Sequence, residues 1–161
     1  GWYEGRKIDL SKYEEAYAEV GCKLFPAARK FLEEYGDLDI QDKYISTATY
    51  ENGDHFIVIN RSLIDVAYCC YPRDLELEKM VDELFHQKIL RVGAIDHGNI
   101  DIYISEDGRF FVNWYFDGLW AENSDQLWNE YYGEEYGRAS WEDLKAGKGR
   151  TMFKKKVKKY L

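Results

Sequence analysis

The chain has 161 residues, 45% hydrophobic and 32% charged, which excludes a disordered or fibrous polymer and suits one globular domain. Its 22 basic residues are outweighed by 30 acidic ones, a net charge of −8, and that balance argues against nucleic acid as the main partner because phosphates would be repelled. No apolar run approaches a membrane span and no signal peptide is visible; the chain opens on Gly1 rather than Met, so part of a natural N-terminus is expected to precede it.

The first predicted helix follows Ser11, which with Glu14 reads as a Ser-x-x-Glu capping box. Tyr13, Ala16, Tyr17 and Val20 share one face, and Gly21 is a stop signal. A second helix opens at Pro26 with Ala28, Phe31, Leu32 and Tyr35 as its apolar stripe and Gly36 at its end. The two are expected to pack as a helical hairpin. Carboxylates from Glu33 to Asp42 cluster around the end of the second helix and read as a solvated loop.

The period then changes to that of strands. Lys43 to Tyr50 and His55 to Ile59 flank Asn52-Gly53, a strong hairpin turn signal. Residues 60–72 fit a loop or a short helix. Asp74 caps a third long helix whose face is Leu77, Met80, Val81, Leu84 and Phe85. Ile89 to Asp96, Ile100 to Ser105 and Phe110 to Phe116 form a meander, with Ile100, Ile102 and Ile104 facing one way. Asp117-Gly118 turns into Leu119-Trp120-Ala121, Asn123 caps a helix carrying Leu127, Trp128, Tyr131 and Tyr132, and Ser140 with Asp143 caps a short last turn.

Strands joined by tight turns are antiparallel. The order of elements predicts an α+β fold, a single antiparallel-rich sheet with helices packed on one face. Residues 1–147 form the domain, and residues 148–161 a basic tail that belongs to it. Seven of the 22 basic residues fall in that tail, so the other 15 stand against all 30 acidic ones. Phe153, Val157, Tyr160 and Leu161 lie at helical spacing, and the tail is expected to dock on the acidic body.

No catalytic constellation emerges. His55, His86 and His97 lack ligand spacing, and neither a nucleophile elbow nor a phosphate-binding loop occurs. No metal or cofactor is expected. Cys22, Cys69 and Cys70 are odd in number and suit a reducing compartment. A hydrolase using paired carboxylates would need a concave pocket holding two of them. The acidic body favours instead a basic protein partner and steered association. With 5 Trp, 14 Tyr and 8 Phe, the chain is also rich in residues that anchor protein interfaces.

The opening stretch Gly1-Trp2-Tyr3-Glu4-Gly5-Arg6-Lys7-Ile8-Asp9 resembles the Trp-x-x-Gly-Arg-x-(apolar)-Asp start of SUKH-type immunity domains, subfamily three. Gly21, Pro26-Ala27-Ala28 and Phe31-Leu32-Glu33-Glu34-Tyr35-Gly36-Asp37-Leu38 are similar to that family's next signature, with Asp37 replacing its second Gly. Arg91-Val92-Gly93, Ile100-Asp101-Ile102 and Asp107-Gly108-Arg109 continue the match in order over about residues 1–132.

The resemblance implies a SUKH-like α+β fold and a cytoplasmic, non-enzymatic antidote to a bacterial polymorphic toxin, often a nuclease. It also implies action by steric and electrostatic occlusion. Relatives that serve as interaction or regulatory modules of the same fold are the alternative. The partner is then a basic toxin domain, with no nucleic acid or membrane and a monomeric chain. Exposed carboxylates beside aromatics nominate Tyr50, Glu51 and Asp54, and Tyr115, Asp117 and Trp120, for partner binding. Core packing competes for Tyr115 and Trp120. Trp2, Gly5 and Arg6 read as structural, with Arg6 pairing to a carboxylate.

Overall fold

A computed structural model describes residues 1–70, 73–114, 117–155 and 157–158. Helix α1 spans Ser11–Glu19 and α2 spans Pro26–Tyr35. Pro26 occupies the first turn of α2, and Ala28, Phe31, Leu32 and Tyr35 are all buried, as the stripe predicts. The capping box of α1 does not form. Asp9 accepts both the backbone N–H and the hydroxyl of Ser11, at 2.8 and 2.6 Å, because an ionised carboxylate is the stronger acceptor. Glu14 is left to pair with Arg29 of α2. The two helices do not form a simple hairpin: α2 lies across the sheet, and α1 packs on the short helix α3 (Val66–Cys69).

Nine strands follow: β1 Leu38–Thr49, β2 His55–Ile64, β3 Ile89–Ile95, β4 Ile100–Ser105, β5 Phe110–Trp114, β6 Asp117–Ala121, β7 Glu135–Ser140, β8 Thr151–Lys154 and β9 Val157–Lys158. Their spatial order is β8-β7-β6-β5-β4-β3-β2-β1-β9, and every pairing is antiparallel. The first strand starts earlier than its composition suggests. Asp39, expected in a loop, sits in β1 and receives a two-pronged contact from Arg61 of β2 at 2.8 and 2.6 Å, a diagonal cross-strand pair that tolerates charge on an exposed face.

The remaining helices are α4 (Leu75–Phe85), α5 (Ser124–Tyr132) and α6 (Trp141–Lys145). Each has the cap its sequence announces. Asp74 accepts from the Leu77 N–H at 3.0 Å, Asn123 from Gln126 at 2.9 Å and Ser140 from Asp143 at 3.1 Å. Helices cover both faces of the sheet, not one. Ile100, Ile102, Ile104, Phe110 and Val112 pack with α1, α2 and α5. On the reverse, Tyr103 and Phe111 pack with Leu77 and Val81 of α4 and Trp141 of α6. The central strands are apolar on both sides, so each face has to be covered.

The described part of the tail is not helical, while Tyr160 and Leu161 of the expected stripe lie outside the described residues. β8 pairs with β7, the register placing Glu135 opposite Lys154, and β9 pairs with β1, placing Ser46 opposite Val157. Only three peptide steps separate Lys154 from Val157, a reach of about 10 Å. The two outer edges of the sheet are therefore brought together, and a single ribbon closes the curl. Arg150 fastens this ribbon: its guanidinium contacts Glu130 of α5 and donates to the Gly137 carbonyl of β7 at 2.8 Å.

Candidate protein-binding surface

Among the described residues β2 pairs with β3 at Leu63 and Ala94 and packs against residues 96–98, and the β1–β2 hairpin continues past these contacts. Its tip is the turn 50–54, where the Tyr50 N–H donates to the Asp54 carbonyl at 2.8 Å and Asn52 braces Asp54 through backbone and side chain. Gly53 has a φ of +87°, a left-handed conformation that glycine adopts without a Cβ penalty. Tyr50 packs against Phe56 in a tilted arrangement, centroids 3.8 Å apart, yet is 54% exposed. Glu51 and Asp54 are exposed beside it. Along β2, Ile57 (59% exposed) and Ile59 (38%) add apolar surface. Large apolar side chains left exposed together are a feature that binding surfaces share.

A second feature lies where the ribbon joins the sheet edges, a cleft of about 260 Å³. Tyr44, Trp120, Tyr131 and Tyr136 line it over Ile100 and Leu127. Tyr131 accepts the Asp96 N–H at 2.9 Å, which fixes its ring, and Trp120 packs on it with centroids 6.0 Å apart. The Trp120 Nε1–H is buried without a partner among the described residues. Two carboxylates, Asp96 and Glu130, reach the cleft. Glu130 is committed to Arg150 and to the Gly137 N–H at 2.5 Å, and Asp96 accepts from the Asn99 amide at 3.3 Å. Glu130 thus already carries a cation and a backbone donor.

The nominated residues therefore fall in two places. Tyr50, Glu51 and Asp54 come together at the hairpin tip. Trp120 lies in the cleft wall, half-buried. Asp117 opens β6, while its side chain and all of Tyr115 lie outside the described residues. Tyr44, Tyr131, Tyr136 and Lys155 were not foreseen as neighbours. The three tyrosines belong to β1, α5 and β7, Lys155 lies between β8 and β9, and the closure of the sheet brings them together.

The N-terminal motif is a brace. Arg6 donates to the carbonyls of Glu34 and Gly36 at 2.7 and 2.8 Å. Its hydrogen bonds thus hold the exposed carbonyl end of α2, not a carboxylate as anticipated, because those carbonyls lack helical partners. Gly5 turns the chain there with a φ of +76°. Trp2 stacks on Tyr35, 10° from parallel at 6.5 Å, and donates to Glu34 at 3.3 Å. The cysteines are free thiols, and burial pushes Cys70 up to about 11. Among the described residues no cluster of His, Cys, Asp and Glu is placed to hold a metal ion, and no helix is long and apolar enough to cross a membrane.

Against known families, the SUKH-3 immunity protein model matches residues 1–132. This span contains the Arg6 brace, both central faces of the sheet, the hairpin and α5, and it ends before β7 and the closing ribbon. No curated protein and no solved structure matches the chain.

Proposed function

Because the chain belongs to the SUKH-3 immunity protein family, we propose that it protects a bacterial cell by binding a toxin domain and covering the surface with which that toxin works. The observation that carries this reading is the projecting β1–β2 hairpin. Exposed Tyr50 and Ile57 supply apolar anchors, and Glu51 and Asp54 supply negative charge at the same tip. Buried aromatic anchors dominate interface energies, and complementary charge sets partner choice and speeds encounter.

The toxin is a basic protein, and a nuclease fits best. A nuclease groove is lined with cations that hold phosphates. A body with 30 acidic residues fills such a groove with carboxylates in place of phosphates, and bulk then shuts out the substrate. Occlusion requires no bond-making by this chain, no cofactor and no metal. It acts as a monomer in the cytoplasm, where an intracellular toxin does its damage.

The test is direct. The purified chain is mixed with the toxin domain encoded beside it, and nuclease activity and complex formation are followed together. The reading expects a one-to-one complex with activity suppressed in proportion to occupancy. A toxin domain that stays active and unbound at micromolar concentrations of this chain removes it.

A further inference from the structure

We propose that the aromatic cleft between β1 and β7 receives one cationic side chain of the bound toxin, and that Lys155 holds this place in the free protein. The proposal rests on the immunity reading and adds to it where one contact is made and by what chemistry.

Lys155 lies between β8 and β9, in the turn where the ribbon crosses from one sheet edge to the other. Its backbone N–H is held by the Glu134 carbonyl at 2.8 Å. Its ammonium bends back to donate to the Tyr131 carbonyl and sits 5.5 Å from the centre of the Tyr131 ring. The cleft is therefore already a cation site. Aromatic faces attract a positive charge through their quadrupole, and the carboxylates of Asp96 and Glu130 lie at the same walls.

The occupant's ammonium has a carbonyl and a ring as its direct partners. Burial pulls the Lys155 ammonium below its ordinary pKa, an effect that the fields of Asp42 and Glu130 oppose. A desolvated ammonium with a carbonyl and a ring for partners can be exchanged for a better-matched cation. A guanidinium is planar, less strongly hydrated than an ammonium, and able to lie flat on a ring while donating sideways to a carboxylate.

Tyr44, Trp120 and Tyr131 lie within the residues matched to the family, whereas Tyr136 and Lys155 lie beyond them.

The experiment uses the full chain, a Lys155→Ala variant and a toxin-free probe, N-acetyl-argininamide. The indole N–H resonance of Trp120, assigned with Trp120→Phe, is followed by NMR. Emptying the cleft should lower the apparent dissociation constant for the probe by about tenfold, the factor expected when a competitor fills roughly nine sites in ten. The uncharged analogue N-acetyl-citrullinamide should not bind, and Asp96→Asn placed in the Lys155→Ala background should weaken the probe again. Equal binding to wild type and Lys155→Ala would show that Lys155 does not fill the site. Equal binding of the citrulline analogue, or no saturable shift in Lys155→Ala, would overturn the cation site itself. Because no toxin is present, a failure here leaves toxin binding standing, and a failure of toxin binding leaves this result as measured.

Discussion

The Tyr13 hydroxyl and Asp37 exchange hydrogen bonds in both directions: the hydroxyl donates to Asp37 Oδ1 at 2.8 Å and accepts the Asp37 backbone N–H at 2.9 Å. Asp37 has a φ of +60°, the left-handed region that favours glycine, and it stands where the family signature has its second glycine. Asp tolerates that conformation better than most residues, and here its carboxylate also pairs with Lys12 at 2.6 Å. Asp37→Gly should therefore change stability by less than about 1 kcal/mol, since backbone relief offsets the lost contacts. Asp37→Ala keeps the strained backbone and loses the contacts, so it should destabilise by about 2 kcal/mol. Urea unfolding of the pair checks the difference.

Acid should weaken the fold through the same residue. Burial alone would raise the Asp37 pKa, but hydrogen bonds from Lys12 and Tyr13 outweigh it and hold the carboxyl below its ordinary 3.8. Asp39, paired with Arg61, and Asp107, held by Arg109 and Ser105 against its own burial, are lowered too. A lowered native pKa means that the unfolded chain binds the proton first, so this stability is complete above pH ~4 and lost as the pH falls further. Asp101 runs the other way, its pKa raised by burial against the pull of Arg91. Urea midpoints from pH 6 to pH 2 should fall on acidification, and Asp37→Asn should flatten that fall. An unchanged slope would contradict the assignment.

Gly93 is the least replaceable glycine of the meander. Its φ is +154°, at the bulge between β3 and β4, and a Cβ there would lie 2.4 Å from Ile64 Cδ1 and 2.7 Å from the Leu63 carbonyl oxygen. Gly93→Ala should cost about 2–4 kcal/mol through overpacking and backbone strain, read as a lowered melting temperature.

The closing ribbon depends on one buried ion pair. The Arg150 and Glu130 side chains are 9% and 16% exposed. Removing one partner strands the other charge, so Arg150→Ala should destabilise by roughly 3 kcal/mol. Hydrogen exchange should then quicken at β7 and β8 before it does in β4. Uniform loss of protection across the sheet would show instead that the ribbon and the sheet open as one unit.

Local signals carried most of the fold. The side-chain caps of α4, α5 and α6, the α2 stripe and the Asn52-Gly53 turn are written within a few residues of each other, and each appears as read. What escaped was non-local. The spacing of Phe153 and Val157 fits a helix as well as a strand, and only β7 and β1, far away in the sequence, decide for strands. That helices cover both faces rests on Tyr103 and Phe111 being buried, which the order of elements, read as helices packed on one face, does not announce. At the candidate surface, Tyr50, Glu51 and Asp54 were legible because a hairpin turn gathers neighbours. The cleft was not, because its walls come from separate elements.

The hairpin tip should carry the toxin contact. Tyr50→Ala should raise the dissociation constant by about thirtyfold, a loss of roughly 2 kcal/mol typical of an aromatic anchor. The double variant Glu51→Lys, Asp54→Lys should act mainly on the association rate, and that effect should shrink as salt rises. Stopped-flow binding at two ionic strengths separates the two.

The most direct measurement is association of the unmodified chain with the toxin domain encoded beside it, across a salt series. The account predicts a one-to-one complex, toxin activity lost on binding, and an association rate that falls steeply with ionic strength. A toxin domain that remains active and unbound, or one bound at a rate indifferent to salt, would contradict it.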